Sequence, residues 1–93
     1  MRFTKETAVE RAKSDLARRL AVDESAIKQD RIVDREFSDM SLGSAAGGEM
    51  SAQMLVSGWQ ILLSAGGKEY EYRADKHQLR LHNFKGSNYV IQS

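Results

Sequence analysis

Two histidines are the side chains in this sequence best suited to bind a metal ion or to transfer a proton. His77 and His82 lie five residues apart, and on a straight strand that spacing points them to opposite faces. The chain contains no cysteine, so disulfides and thiolate chemistry are excluded. We therefore predict neither a metal site nor a bound cofactor.

One acidic residue, Asp39, stands in a context that favours a turn over catalysis. It lies in the stretch FSDMSLG at residues 37–43, where an Asp side chain accepts a backbone N–H and Gly43 supplies a positive φ. No Ser-His-Asp or Cys-His arrangement is recognisable by spacing. No glycine opens a phosphate-binding loop followed by a helix. The sequence predicts a protein that is not an enzyme.

Two tyrosines on one predicted strand raise the alternative of a sheet face that binds single-stranded nucleic acid. Tyr70 and Tyr72 share a face on which bases could stack. Arg73 and Arg80 point to the other face, and the formal net charge is only +1, whereas nucleic-acid modules carry a strong positive excess. Packing of the tyrosines against a helix is the preferred interpretation, and nucleic-acid binding is kept as an alternative.

Residues 4–21 are predicted to form an amphipathic helix. Thr7 and Glu10 fit a capping box, and Thr4 is an alternative N-cap. A helix of this length needs a sheet to cover its apolar side. Its apolar residues recur at spacings of three and four and so form one stripe: Val9, Ala12, Leu16 and Leu20.

The rest of the chain has the alternation of antiparallel strands. Residues 27–37 mix charged with β-branched residues, as an edge strand does. Residues 59–65 and 70–74 alternate and flank Gly66-Gly67, a tight hairpin signal, and shorter strands follow at 79–82 and 89–91. We predict a single α+β domain over residues 1–93, with one N-terminal helix packed on a four- to five-stranded antiparallel meander sheet. The helix stripe is expected to cover the face that carries Trp59, Ile61, Leu63, Tyr70 and Tyr72.

The sequence contains no membrane or export signal. No apolar run approaches the roughly 20 residues of a membrane helix, and the N-terminus lacks the hydrophobic centre of a signal peptide. We expect a cytoplasmic protein if the chain is complete as given, and an exported one if a signal peptide was removed.

Three stretches carry a resemblance to a known group of proteins: FSDMSLG at 37–43, GWQILL at 58–63 and GKEYEYR at 67–73. They resemble the pattern aromatic-x-Asp-x-x-Leu-Gly, Gly-aromatic-x-Ile-x-Leu and Gly-x-x-Tyr-x-Tyr of small, largely uncharacterised bacterial α+β domains. Cystatin-like and PepSY-like folds share this outline. The resemblance implies a fold and no established enzyme activity.

A shorter stretch is similar to the inhibitory hairpin of cystatins. The residues QMLVSG at 53–58 resemble the Gln-x-Val-x-Gly hairpin, with a spacing one residue longer. This resemblance implies an alternative function, a protease inhibitor that presents hairpin loops.

Residues 38–54 are the predicted binding surface. Residues 38–49 contain three glycines and form a connection long enough to be a mobile, functional loop, while methionines suit adaptable contacts. We predict a non-enzymatic domain that binds an unknown protein partner, as a monomer or a weak homodimer, by adding a partner's strand to an exposed edge. The candidate partner-binding residues are Asp39, Met40, Glu49, Met50, Gln53 and Met54.

Overall fold

The computed structural model describes residues 2–93 and has the predicted α+β architecture, with five strands. The elements in chain order are α1 (Lys5–Leu20), a 3₁₀ turn (Glu24–Ala26), β1 (Lys28–Phe37), β2 (Val56–Ala65), β3 (Lys68–Ala74), β4 (Leu79–Phe84) and β5 (Ser87–Gln92). Within the described residues, no helix is long and apolar enough to cross a membrane.

Helix α1 begins at a reciprocal threonine cap. The Oγ1 atom of Thr4 accepts a hydrogen bond from the N–H of Thr7 at 3.1 Å, and the Oγ1 atom of Thr7 accepts one from the N–H of Thr4 at 2.8 Å. Two of the N–H groups that a helix start leaves without partners are thereby satisfied. The N-cap prediction at Thr4 is confirmed. The alternative capping box from Thr7 to Glu10 is wrong, because α1 already starts one residue after Thr4.

The five strands form one antiparallel meander in the order β1-β2-β3-β4-β5. Gly66 and Gly67 join β2 to β3 with φ angles of 58° and 80°, the positive values that a two-residue hairpin requires. Both the hairpin and the edge position of β1 are therefore confirmed. Strand β1 carries one register irregularity between Gln29 and Arg31.

Helix α1 covers one face of this sheet and forms the main core. Tyr72 is fully buried there, and its hydroxyl donates to Asp15 of α1 at 2.7 Å. Arg19 also donates to Asp15, at 2.7 Å, so the buried carboxylate has two donors. The predicted packing is confirmed, and the core consists of Phe3, Ala8, Val9, Ala12, Leu16, Ala17, Ile27, Ile61, Leu63, Tyr72, Ala74, Leu79 and Leu81, with Leu20, Trp59 and Tyr70 packed against it.

Truncating the helix stripe tests this core. Leu16 has no exposed surface, so Leu16→Ala removes buried methyl groups and leaves a cavity, and should lower the free energy of unfolding by about 2–5 kcal/mol. Chemical denaturation monitored by Trp59 fluorescence measures the change. Leu55→Ala is the matched control, because Leu55 is mostly exposed and should change stability by less than about 0.5 kcal/mol. Equal effects of the two substitutions would contradict the packing.

Candidate functional site

The face of the sheet opposite α1, here called the distal face, carries polar and charged side chains. Alternation along the strands places Gln60, Glu71, Arg73, Arg80 and His82 on this face, in register across β2, β3 and β4. The sequence had placed Arg73 and Arg80 away from the helix, and the structure agrees. Both arginines are nevertheless buried, which the sequence did not predict, so something must cover them.

The cover is the connection between β1 and β2, residues 38–55, here called the 38–55 segment. Leu42 and Ser44 of this segment are fully buried against the sheet. Arg73 donates to the backbone oxygen of Leu42 at 2.9 Å, and Arg80 donates to the backbone oxygen of Ser44 at 3.3 Å. The sequence predicted a mobile loop at residues 38–49. The structure shows that hydrogen bonds from the sheet fasten part of its backbone.

Two amides extend the same anchoring to the margins of the distal face. Gln78 donates to the backbone oxygen of Met40 at 2.7 Å, and Asn88 donates to the backbone oxygen of Ala45 at 2.9 Å. Backbone carbonyls buried without partners are costly. The sheet therefore satisfies the segment's polar backbone while the segment satisfies the sheet's arginines.

A partly exposed ion pair joins Glu49 of the segment to Arg80 of β4. The Nη1 and Nη2 atoms of Arg80 lie 2.5 and 2.8 Å from the two carboxylate oxygens of Glu49. The hydrogen bond from Arg80, together with one from the N–H of Ala46, lowers the pKa of Glu49 from 4.5 to about 2. Glu49 thus holds the segment in place, and its charge is matched by Arg80.

A second carboxylate stabilises the other buried arginine. Glu71 accepts hydrogen bonds from Arg73 at 2.6 Å and from Gln60 at 3.0 Å. Burial raises the pKa of Glu71, but these two hydrogen bonds together with the charge of Arg73 hold the pKa below its ordinary value. Glu71 is therefore ionised at neutral pH, as a partner of a buried guanidinium should be.

Ser44 and His82 form a pair that the spacing of the sequence did not reveal. The Oγ atom of Ser44 lies 2.9 Å from Nδ1 of His82, across 38 positions of sequence. Burial and the nearby charge of Arg73 lower the pKa of His82, so the imidazole is neutral at neutral pH. Ser44 has no accessible surface, and the pair acts in this structure as another anchor between segment and sheet.

The predicted turn at Asp39 is present. The Oδ1 atom of Asp39 accepts hydrogen bonds from the N–H groups of Ser41 at 2.8 Å and Gly43 at 3.1 Å. Gly43 has a φ of 67°, and a Cβ atom there would lie 2.6 Å from Nη1 of Arg73. Glycine adopts this backbone angle without strain and leaves room for the buried arginine.

Large apolar side chains point outward from the same anchored segment. The exposed fractions are 95% for Met50, 71% for Leu55, 57% for Met54 and 47% for Met40. The N–H of Met40 donates to the backbone oxygen of Ala52 at 3.0 Å, and the hydroxyls of Ser41 and Ser51 are hydrogen-bonded, so the two ends of the segment run side by side. We call Met40, Met50, Met54 and Leu55 the methionine surface.

The candidate partner-binding residues divide into two groups. Met40, Met50, Gln53 and Met54 are exposed. Met40 lies beside the later part of the segment, because its N–H donates to the backbone oxygen of residue 52. Asp39 and Glu49 instead hold the segment in its conformation through the bonds described above. Sequence reasoning missed the anchors Arg73, Arg80 and His82, because their alternation with buried residues is also the pattern of a solvent-exposed face.

The two alternative functions need accessible groups: a protease inhibitor of the cystatin kind needs a free hairpin loop, and a nucleic-acid platform needs exposed aromatic rings. Residues 56–58 of the cystatin-like stretch lie inside β2, where Val56, Ser57 and Gly58 pair with Phe37, Glu36 and Arg35. Half of the stretch is therefore paired within the sheet, and residues 53–55 precede the strand. Tyr72 lies under α1 with no exposed surface, which leaves it unable to stack on a base.

The histidines are also accounted for. His77 is exposed, and its backbone N–H donates to the carboxylate of Asp75 in the turn between β3 and β4, at 2.7 Å. The ring of His82 is hydrogen-bonded to Ser44. Among residues 2–93, no group of His, Cys, Asp and Glu side chains has the geometry to hold a metal ion.

These features define a class of domain: a small α+β unit in which a helix covers one face of an antiparallel meander and an anchored connection covers the other. The chain matches the Domain of unknown function (DUF8738) over residues 9–82, and it belongs to that family. No curated protein and no solved structure matches the chain. The expectation of an uncharacterised α+β family is confirmed at this level.

The ion pair at Glu49 predicts a specific acid sensitivity. Because the folded pKa of Glu49 is about 2 against an ordinary 4.5, the pair stabilises the fold above pH 4.5, and this contribution is lost as the pH falls towards 2. Glu49→Gln should therefore lower the free energy of unfolding by about 1 kcal/mol at neutral pH, and the difference from wild type should vanish near pH 2. Denaturant titrations of both proteins at several pH values measure it.

The control for this test is Glu69→Gln, which removes an exposed carboxylate at the β2–β3 hairpin, away from the 38–55 segment. It should change the stability at neutral pH by less than about 0.5 kcal/mol. A difference between wild type and Glu49→Gln that is constant from pH 7 to pH 2 would contradict the role given to the ion pair.

Proposed function

We propose that this protein is a non-enzymatic domain that binds another protein through the methionine surface. The observation that carries the proposal is that Met40, Met50, Met54 and Leu55 are exposed on one segment. The first part of this segment is fastened to the sheet, and its second part is hydrogen-bonded to the first. Of the exposed large hydrophobic residues in the described part of the chain, only Val22, Tyr89 and Val90 lie elsewhere.

Anchoring supports binding because it reduces the entropy lost on association. A free loop must be ordered when a partner binds, and that ordering opposes affinity. Here Arg73, Arg80, Gln78 and Asn88 already hold the backbone of residues 40–45, and the hydrogen bond from Met40 to Ala52 joins the rest of the segment to that part. The outward side chains are the flexible part, and methionine adapts its shape to an apolar contact at little energetic cost.

The chemistry of the surface indicates an apolar contact face on the partner. Glu49, the acidic residue beside Met50, is already paired with Arg80, so it offers little attraction to a basic partner. Grouped exposed apolar side chains are typical of protein-interaction sites. The inhibitor and nucleic-acid alternatives have less support, because Val56 and Gly58 lie within β2 and Tyr72 is buried.

Site-specific photo-crosslinking tests this proposal. A photoreactive amino acid placed at Met54 of the intact protein in its native host should give a discrete crosslinked protein, and the same probe at Lys68 in the β2–β3 hairpin should not. Replacing the surface methionines by serine (Met40→Ser, Met50→Ser) should then reduce capture from the Met54 position by about tenfold, because apolar contact area is lost.

The matched control removes exposed apolar side chains elsewhere, with Val22→Ser and Val90→Ser. This variant should retain full crosslinking from position 54. Equal capture from positions 54 and 68, or capture that survives the loss of Met40 and Met50, would contradict the proposal. Circular dichroism and the denaturation midpoint of each variant confirm that the fold is retained.

A further inference from the structure

Strand β1 leaves one long edge of the sheet open. It is a ten-residue strand at the end of the strand order, and most of its residues are exposed. The other edge, β5, has six residues and pairs with β4 through two register irregularities. An edge strand presents unpaired N–H and C=O groups to any added strand, and β1 offers the longer and more regular row.

The charges of β1 are separated by face. Pairing with β2 places Lys28, Arg31 and Arg35 on the distal face, opposite Ser64, Leu62 and Gly58. Asp34 and Glu36 are opposite Trp59 and Ser57, and so lie on the helix face. Asp30, at the register irregularity, accepts a hydrogen bond from Ser64 of the distal face at 3.0 Å, and Asp34 is paired with Lys5 of α1 at 3.0 Å. The distal side of the edge therefore carries three cations against one carboxylate, and the acidic residues of the helix side are partly neutralised.

Two cavities lie along the helix face of this edge. One, of about 260 Å³, lies between α1 and β1 and is lined by Val9 and Ile32 among others. The other, of about 900 Å³, is lined by Phe3 and Trp59 and reaches Asp34 and Glu36 on β1. Of the β1 residues at these cavities, Ile32, Asp34 and Glu36 share the helix face and are spaced by two positions, the interval at which successive same-face side chains of an added strand fall.

We propose that the β1 edge binds an extended peptide segment of a partner protein in which acidic and apolar residues alternate. The acidic side chains lie beside Lys28, Arg31 and Arg35 on the distal face, and the apolar side chains enter the cavities at Ile32 and Trp59 on the helix face. Backbone hydrogen bonds supply affinity and the alternating side chains supply selectivity. This inference rests on the proposed protein-binding function and names the partner's form.

The β1 strand of a second copy of this chain does not have the charge pattern that this edge would bind. When two copies pair their β1 strands antiparallel about a two-fold axis, the same faces meet, so Lys28, Arg31 and Arg35 lie along the cations of the partner strand. Asp34 and Glu36 lie along its carboxylates. Like charges across strands are destabilising and opposite charges stabilising. The edge is thus selective for a strand of complementary pattern.

The test measures binding of labelled synthetic peptides as long as β1 to the intact protein by fluorescence anisotropy at low and physiological salt. A peptide of alternating Glu and Val should bind about tenfold more tightly than one of the same composition ordered Glu-Glu-Val-Val. The charge reversal Arg31→Glu with Arg35→Glu should abolish that preference and favour alternating Lys and Val. Backbone amide perturbations in NMR spectra should fall on residues 28–37 and not on β5.

The matched control carries the same change of net charge at the hairpins, Lys68→Glu with Lys85→Glu, and should keep the preference for the Glu-Val alternation. Three results would each overturn the proposal. The first is equal binding of the alternating and reordered peptides, and the second is an unchanged preference after charge reversal at β1. The third is a wild-type dimer in sedimentation that the β1 reversal dissociates. Crosslinking from Met54 is read independently: if the wild-type protein binds no peptide at β1 while crosslinking from Met54 persists, the protein-binding function stands and only the edge is rejected.

Discussion

Two guanidinium groups buried on the distal face are the constraint on which the rest of the structure depends. A cation removed from water must be paired and hydrogen-bonded, or it strongly destabilises the fold. Arg73 is bonded to Glu71 and to the oxygen of Leu42, and Arg80 to Glu49 and to the oxygen of Ser44. Three of these four partners lie on the 38–55 segment, so burial of the arginines and docking of the segment require each other.

This mutual requirement explains how so small a chain uses both faces of its sheet. Helix α1 covers the first face through apolar contacts, which are non-directional. The second face is covered through directional hydrogen bonds, which fix the position of each part of the segment. Ser41, Leu42 and Ser44 of the segment are buried, whereas its three methionines are exposed.

The helical stripe, the glycine hairpin and the edge character of β1 were predictable from the sequence, because each is encoded by residues close together in the chain. Val9 and Leu16 repeat with the helical period, and Gly66-Gly67 needs no distant partner. The distal site was not predictable in the same way. Its contacts join residues 31 to 43 positions apart, and an arginine alternating with buried residues has the same pattern whether water or another segment covers it. Small residues and glycines in the 38–55 segment suggested mobility, although Gly43 is small because Arg73 approaches it.

The sheet holds the 38–55 segment mainly by its backbone oxygens, at Met40, Leu42, Ser44 and Ala45. A carbonyl oxygen is the same in every amino acid, so the outward side chains of the segment are not needed for its attachment. Exchanging Met40 or Ala45 for another residue leaves the anchoring atoms in place. The scaffold can therefore diverge in what it recognises while its architecture is inherited unchanged, and the same separation makes the segment a site where new recognition sequences can be grafted.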